Sequence, residues 1–320
     1  MPDLVVIHEH PEWQKPLFEA LKARGVDYAV QDLKSAAFSE VDQPLAPLYF
    51  NQASPSAYLR GNTRAVPLGL AFMTDLEAQG VRVLNGAKAF RFELSKIAQA
   101  RAMQRLGIDH PRSIAFNDVR ALAARAHEIG FPAILKPDQG GSGARMYKVE
   151  SMAEVEYILS TQPELWLPDN LLVLQEYLPH DAPGRGILRM EFLGGELLYA
   201  MRVRSDGAFN LCPSEVCHPG EEGGESFCEL PTAPPPKMAP VFEPFPEVPA
   251  EAVAIGKKLC EIGHLDVGGI EYLETADGRR VFYDINANSN LRRPVAEAFG
   301  FDPFERVVDF LQGQIARVRG

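Results

Sequence analysis

A mixed α/β fold is predicted by three features of the 320-residue chain. The first 30 residues read strand, helix, strand; an apolar strand in the middle runs into a glycine-rich turn; and the second half carries two hairpin patterns before an amphipathic helix. A β-α-β opening requires a parallel pair with a crossover, whereas hairpins build antiparallel sheets. A small N-terminal parallel-sheet unit followed by α+β units satisfies both.

Leu4 to His8 is a short β-branched run, and the helical pattern through Trp13, Leu17, Ala20 and Leu21 that follows stops at Gly25. Tyr28 to Val30, Leu48 to Phe50 and Val81 to Leu84 are further strands, with a helix from Leu68 to Gln79 ended by Gly80. His8 and His10 flank the end of the first strand, where solvated loop histidines are the ordinary case. From Phe92 to Leu106 the apolar positions Leu94, Ile97, Ala98, Met103 and Leu106 recur at helical spacing. Lys96 lies near the start of that helix, where a cation opposes the helix dipole unless an anion sits beside it; a solvated surface lysine is the alternative. Pro111 to Ala115 reads as a strand and Val119 to Gly130 as a helix.

The stretch Ile134 to Tyr147 carries the first chemical signal. A buried strand delivers Lys136 into a loop containing Gly140, Gly141 and Gly143. Glycines let backbone N–H groups approach a polyanion closely, and an ammonium held on a strand supplies the charge that a phosphate needs. The loop is neither a Walker loop nor a dinucleotide fingerprint, since the lysine precedes the glycines. A nucleoside triphosphate is the ligand it suits; a hairpin turn with a solvated lysine is the alternative.

Met146 to Val149 returns as a strand, Met152 to Leu159 is a helix and Pro163 to Asn170 a connector. Leu171 to Leu178 is an apolar strand whose polar end can offer backbone groups to a flat base. Gly186 to Arg204 alternates as a hairpin about Gly194-Gly195 and carries Arg189, Arg202 and Arg204, the last two on one face. Cys212 to Pro249 lacks periodicity and reads as a long loop. Helix returns from Ala250 to Ile262, Val267 to Leu273 and Val281 to Ile285 form a hairpin about Asp277-Gly278, and Phe304 to Ala316 is the final helix.

Composition sets the outer bounds. With 46% apolar and 23% charged residues the chain is an ordinary globular protein, long enough for two or three packed units. No apolar run reaches the length of a membrane span and no secretory signal opens the sequence, so a cytoplasmic protein with no membrane partner is expected. The net charge of −11 argues against nucleic acid as a partner. Cys212, Cys217, Cys228 and Cys260 form no Cys-x-x-Cys pair; reduced thiols are expected, and Cys212, Cys217, His218 and Cys228 match no standard zinc spacing.

The last hairpin carries the second signal. Asp284 and Asn286 lie two apart on one strand and so face the same way, with Glu271 able to stand opposite. Oxygen ligands clustered like this suit Mg²⁺, which completes its shell with water and phosphate oxygens. A polar edge hairpin is the alternative, but an acid within Val281-Phe282-Tyr283-Asp284-Ile285-Asn286 is costly to bury without a cation.

A strand lysine before a glycine-rich flap, a Gln175-Glu176-Tyr177 hinge and the terminal acid, acid, x, Asn pattern occur in the order and spacing that resembles the ATP-grasp superfamily. Within it the chain is most similar to the RimK-like carboxylate–amine ligases, with glutathione synthetase as a relative, over residues 81–310; Val83-Leu84-Asn85-Gly86 and Ser95-Lys96 also look like the family's lead-in. The resemblance implies a pre-ATP-grasp domain at 1–91, a central subdomain with the flap at 92–170 and a metal-bearing subdomain at 171–320, with ATP held between the last two.

Carried over by position, it implies that Lys96 and Lys136 contact ATP phosphates under a flap of Gly140, Gly141, Ser142 and Gly143, and that Gln175, Glu176, Tyr177 and Leu178 hold the adenine. Glu271, Asp284 and Asn286 would hold two Mg²⁺ ions, with Mn²⁺ as a substitute, while Arg204, Asn210 and Arg202 would stand near the transferring phosphoryl group. The implied activity joins a carboxylate to an amine through an acyl phosphate, releasing ADP and phosphate, and acts on small molecules or a peptide or protein terminus; a homodimer is expected independently of the resemblance. A small-molecule kinase on the same fold, or a non-catalytic ATP-binding regulator, are the alternatives. Two departures stand out. Gly186-Ile187-Leu188 replaces the acid that the family places before the arginine matched by Arg189, and Asn286-Ala287-Asn288-Ser289-Asn290-Leu291-Arg292-Arg293 replaces its usual ending. The arginine pair Arg292 and Arg293 is a candidate clamp for a substrate carboxylate.

Overall fold

The structure is a computed structural model that describes residues 1–141, 143, 145–179, 186–204 and 240–320. The N-terminal unit runs β1 (Leu4–His8), α1 (Pro11–Ala23), β2 (Tyr28–Asp32), β3 (Leu48–Asn51), α2 (Ala65–Ala78) and β4 (Arg82–Leu84). Its strands form a parallel sheet in the order β2-β1-β3-β4, with Leu4 opposite both Tyr28 and Leu48. Every residue of β1 and β3 is buried, as parallel strands covered on both faces must be.

Two short helices follow, α3 (Ala87–Glu93) and α4 (Lys96–Arg105), where the sequence reads as one. Ser95 breaks the run because its hydroxyl accepts from Ala98 N at 3.2 Å and so caps a new helix. The consequence is that Lys96 becomes the first residue of α4. The second sheet is antiparallel, in the order β5-β8-β6-β7. It is built from β5 (Ser113–Phe116), α5 (Val119–Ala123), β6 (Ala133–Pro137), β7 (Tyr147–Val149), α6 (Met152–Thr161) and β8 (Leu172–Glu176). The helix expected to reach Gly130 stops at Ala123 and is succeeded by a 3-10 turn at Ala126–Glu128.

The third sheet, also antiparallel, contains β9 (Ile187–Leu193), β10 (Glu196–Arg204), β11 (Val241–Pro244), β12 (Val267–Glu274) and β13 (Arg280–Asn286), in the order β11-β10-β9-β12-β13. β11 lies in the stretch expected to be irregular and pairs Val241 with Arg204, where β10 offers an open edge. Helices α7 (Ala250–Gly263), α8 (Arg293–Glu297) and α9 (Pro303–Arg319) complete the chain. The edge strand β13 is covered by α4, whose buried Gln99 donates to Ile285 O at 2.8 Å and accepts from Ile285 N at 3.2 Å.

The first and third sheets share a core. Leu4, Val6, Leu17 and Phe50 pack in one cluster with Val267, Leu291, Val307 and Leu311. Asn85, at positive φ (48°), joins them through polar contacts: its Oδ1 accepts from Asp266 N at 2.8 Å and Val267 N at 3.2 Å, and its Nδ2 donates to Val267 O at 2.8 Å and to Ala287 O. The N-terminal unit is thereby fixed against the sheet that carries the acidic hairpin.

Candidate active site

One cleft lies between the second and third sheets. It is lined by Lys136, Gly140, Gly141 and Gly143 on one side and by Arg189, Glu271, Asp284 and Asn286 on the other, with Glu93 and Lys96 at its end. The strand ends that were separate in the sequence therefore face a common space.

Register sets the acidic wall. Glu271 on β12 pairs with Asp284 on β13 and with Arg189 on β9, which places three side chains in a row across three strands. Arg189 is 4% exposed and Glu191 0%. The guanidinium donates to Glu271 Oε1 and Glu191 Oε1, each at 2.6 Å, and to Ser289 Oγ at 3.1 Å, and Ser289 Oγ donates to Glu191 Oε2. Gly269 leaves the room for this: a Cβ there would collide with the guanidinium. Tyr283 OH donates to Glu271 Oε2 at 2.5 Å, and Asn286 Nδ2 donates to Asp284 Oδ2 at 3.0 Å, leaving Asn286 Oδ1 as an acceptor.

The cationic side is made by helix and strand starts. Lys96 pairs with Asp284, and Asp138 sits at the N-terminus of α4, accepting from Ile97 N at 2.8 Å. The anions that a cation at that helix start calls for are thus both present. Burial works against the Lys96 ammonium, but Asp284 beside it holds its pKa above the ordinary value. Burial would likewise lift the Asp284 carboxyl, yet the Lys96 charge and hydrogen bond carry it below its ordinary range. Lys136 donates to Gln175 Oε1 at 2.9 Å; its burial, reinforced by Lys96 and opposed by Asp284, lowers its pKa to about 8. Glu93, 2% exposed, accepts from Asn288 N at 3.0 Å through Oε1, while its Oε2 has no hydrogen-bond partner among the described residues. Burial raises its pKa to about 7.

The glycine turn rests on the N-terminal unit. Gln139 Nε2 donates to Pro55 O at 3.1 Å, and Gly141 packs so closely on Ser56 that a side chain would strike it. The 3-10 turn Pro55–Arg60, which the sequence reading missed, forms this support. Gln175, Glu176, Tyr177 and Leu178 line the cleft beyond it. Gln175 is spent on Lys136 and on Ser113 Oγ at 3.0 Å, and Glu176 on Arg112, so Tyr177 and Leu178 form the flat end of the wall.

Several expected residues are elsewhere. Arg202 pairs in register with Leu188 and Met201 with Arg189, so Arg202 and Arg204 stand on the face of β10 opposite to the cleft. Arg202 lies over the Phe245 ring at 4.9 Å and Arg204 pairs with Glu243. This corrects the expectation that they flank a transferring phosphoryl group; the irregular register between Leu197 and Tyr199 fixes which face they take. Arg292 lies over Phe242 at 4.2 Å and Arg293 pairs with Asp302 at 2.8 Å, and neither lines the cleft. Ser142, Asn210, Cys212, Cys217, His218 and Cys228 lie outside the described residues, and Cys260 is a buried free thiol. His8 is buried rather than solvated, and His10 caps α1 by accepting from Trp13 N at 3.3 Å.

The arginine that does line the cleft is Arg189; its alternation with Glu191 on a strand was the available signal. Glu93 and Tyr283 gave none. The metal-capable set is two carboxylates and an amide, and no group of three or more His, Cys, Asp or Glu residues is placed to hold a metal ion among the described residues. An all-oxygen set fits a hard divalent cation such as Mg²⁺ and not zinc.

No family model matches the chain. Over 113 residues it is 30% identical to N5-carboxyaminoimidazole ribonucleotide synthase of Synechococcus elongatus, which covers 35% of this chain and 27% of that protein. Beta-citrylglutamate synthase B of Danio rerio is 23% identical over 246 residues, 76% of this chain and 53% of that protein. The chain therefore spans between about a quarter and half of these curated relatives. Solved structures match it end to end. D-alanine–D-alanine ligase from Bacillus anthracis superposes with a TM-score of 0.69 at 15% identity, covering 99% of this chain and 98% of that one. A RimK domain ATP-grasp protein from Sphaerobacter thermophilus gives 0.67 at 18%, covering 96% and 98%. The ATP-grasp ligase PsnB, solved with a phosphomimetic variant of its minimal precursor, Mg and ADP, gives 0.65 at 20%, covering 98% and 99%.

The chain has the ATP-grasp fold. In the ATP-grasp arrangement seen here the antiparallel second and third sheets enclose the cleft and the parallel sheet buttresses it. No helix among the described residues is long and apolar enough to cross a membrane.

Proposed function

We propose that this ATP-grasp protein is an ATP-dependent carboxylate–amine ligase of the RimK-like kind. One observation carries the reading: two buried ammonium groups, a glycine turn and an all-oxygen acidic wall surround a single cleft. The names of its relatives, a D-alanine–D-alanine ligase and the ligase PsnB among them, point to the same chemistry.

Lys96 and Lys136 hold phosphate oxygens, and the backbone at Gly140, Gly141 and Gly143 closes over them. Tyr177 and Leu178 flank the base. Glu271, Asp284 and Asn286 would hold Mg²⁺, two ions in the fullest form, which when bound would neutralise phosphate charge and polarise the phosphorus. Lys96 exchanges its bond to Asp284 for one to phosphate as the nucleotide enters. Arg189 keeps Glu271 in place. A substrate carboxylate oxygen attacks the γ-phosphorus and ADP leaves; the amine nitrogen then attacks the acyl carbon, phosphate leaves and the nitrogen gives up a proton. The chain contributes alignment and fixed charge, and no protein nucleophile is needed. In this reading residues 1–91 form the buttressing domain, 92–170 the flap-bearing subdomain and 171–320 the metal-bearing one. The substrates are a small carboxylic acid and an amine, such as amino acids or a peptide terminus.

The test is a pairwise screen of acids and amines, with ADP and phosphate quantified together. Equal release of both, only when acid and amine are present, is expected, and Asp284→Asn is expected to abolish it. ADP without free phosphate would instead indicate a kinase, and turnover without an amine or an active Asp284→Asn enzyme would overturn the ligase reading.

A further inference from the structure

We propose that Tyr283 is a positioning residue for the cation-binding carboxylate of Glu271, brought into the cleft by a β-bulge in β13. The inference rests on the cation set of the proposed ligase. In a regular strand residues 283 and 284 face opposite sides of the sheet. Here the ladder steps from Tyr272 opposite Phe282 to Glu271 opposite Asp284, so one extra residue is inserted in β13. A bulge re-aims a side chain in this way. Both Tyr283 and Asp284 consequently line the cleft.

The re-aimed phenol donates to Glu271 Oε2 at 2.5 Å, while Arg189 Nη1 donates to Oε1 at 2.6 Å. The two oxygens of one carboxylate are thus gripped by donors from two different strands, β13 and β9. A carboxylate held at one oxygen swings about that bond; held at both, its plane is fixed. Each oxygen keeps a second acceptor site for a cation. The two donors differ in kind. Arg189 brings a charge, which it shares with Glu191, whereas the phenol orients Glu271 without neutralising it. A second cation at this point would compete with the metal for the carboxylate, and a neutral donor does not.

The experiment removes only the hydroxyl. Wild type and Tyr283→Phe, both full length, are titrated with Mn²⁺ in the presence of ADP, and free Mn²⁺ is read by electron paramagnetic resonance. Loss of such an outer partner typically weakens metal affinity roughly 10- to 100-fold, and that loss is expected here. Affinity for ADP without divalent cation is expected to match wild type, and unfolding followed without cation confirms that the variant remains folded at the assay temperature. In turnover the Mg²⁺ activation constant rises while kcat at saturating Mg²⁺ stays near the wild-type value. Tyr283→His, which keeps a ring and an N–H donor, is expected to fall between the two. Equal Mn²⁺ affinity in wild type and Tyr283→Phe, or a histidine variant weaker than the phenylalanine one, would overturn the inference while the ligase reading stands. A wild-type protein that binds no Mn²⁺ with ADP would remove the cation set itself, and the inference with it.

Discussion

Glu93 offers a prediction that depends on burial alone. In the nucleotide-free protein its carboxyl is lifted from an ordinary value of 4.5 to about 7, because burial penalises the charged form more than Asn288 N and Lys96 relieve it. The folded state therefore binds a proton at Glu93 between pH 4.5 and 7 that the unfolded chain has released. A raised folded pKa stabilises below the unfolded value and loses that stabilisation as pH rises through the folded one. At 1.36 kcal/mol per unit the full swing is on the order of 3 kcal/mol. Total stability is not the observable to use, since His8 and His10 have depressed pKa values, His10 at about 4, and push the opposite way. The difference between wild type and Glu93→Gln isolates the group, because glutamine keeps the acceptor for Asn288 N. Urea unfolding of both proteins at pH 4.5 to 8 should show wild type losing stability relative to the variant by about 3 kcal/mol across that range. Parallel curves for the two proteins would refute the argument, and with it the assignment of Glu93 as a protonated group in the resting cleft.

Three further outcomes follow from the same geometry. Lys136 loses its charge as pH rises through about 8, so nucleotide affinity of the free enzyme should fall above that pH, and Lys136→Met should remove the pH dependence along with most of the affinity; a fluorescent ATP analogue titrated from pH 7 to 9.5 measures both. Arg204→Ala breaks a half-exposed pair on the far face, worth roughly 0–1 kcal/mol, and should leave kcat/KM for ATP within about threefold of wild type, as steady-state kinetics would show. Asn85→Ala strips partners from the backbone groups of Asp266, Val267 and Ala287 at roughly 1–3 kcal/mol per buried group left unmatched, so thermal unfolding should reveal a loss of several kcal/mol.

The features legible in the sequence were those written in a few consecutive residues. The strand carrying Lys136 into its glycine turn and the spacing of Asp284 and Asn286 need only local alternation to be read. Which face Arg202 and Arg204 take was not legible, because it depends on parity carried through a hairpin with an irregularity near Leu197 and Tyr199. Arg202 and Arg204 share a face, as alternation required, but it is the far one. Tyr283 escaped for a related reason: a bulge inserts a residue that period-two reasoning cannot anticipate. Glu93 sits on α3, whose boundary with α4 the apolar spacing hides, and its chemistry arises from burial under parts of the chain distant in sequence, Asn288 beside it being 195 residues away.

The charges of the cleft bear on how a nucleotide enters it. Arg189, Lys96 and Lys136 stand among Glu191, Glu271, Asp284 and Asp138, so the cleft carries no excess of cationic groups. Glu93 is a further acid, and its burial, which raises its pKa to about 7, limits the negative charge it adds near neutral pH. A cleft without excess positive charge attracts a bare polyanion weakly, since each lysine that turns to phosphate leaves a carboxylate exposed to the same negative charge. Lys96 is the clearest case: it is bonded to Asp284 in the resting site, and on the proposed reading that bond would be given up for one to phosphate. Asp284, once released by Lys96, would be free to hold a divalent cation, whose charge would make that exchange favourable. On the proposed reading, the carboxylates that would oppose ATP alone would favour magnesium nucleotide, and selectivity for the metal complex would come from the lack of excess positive charge in the resting site.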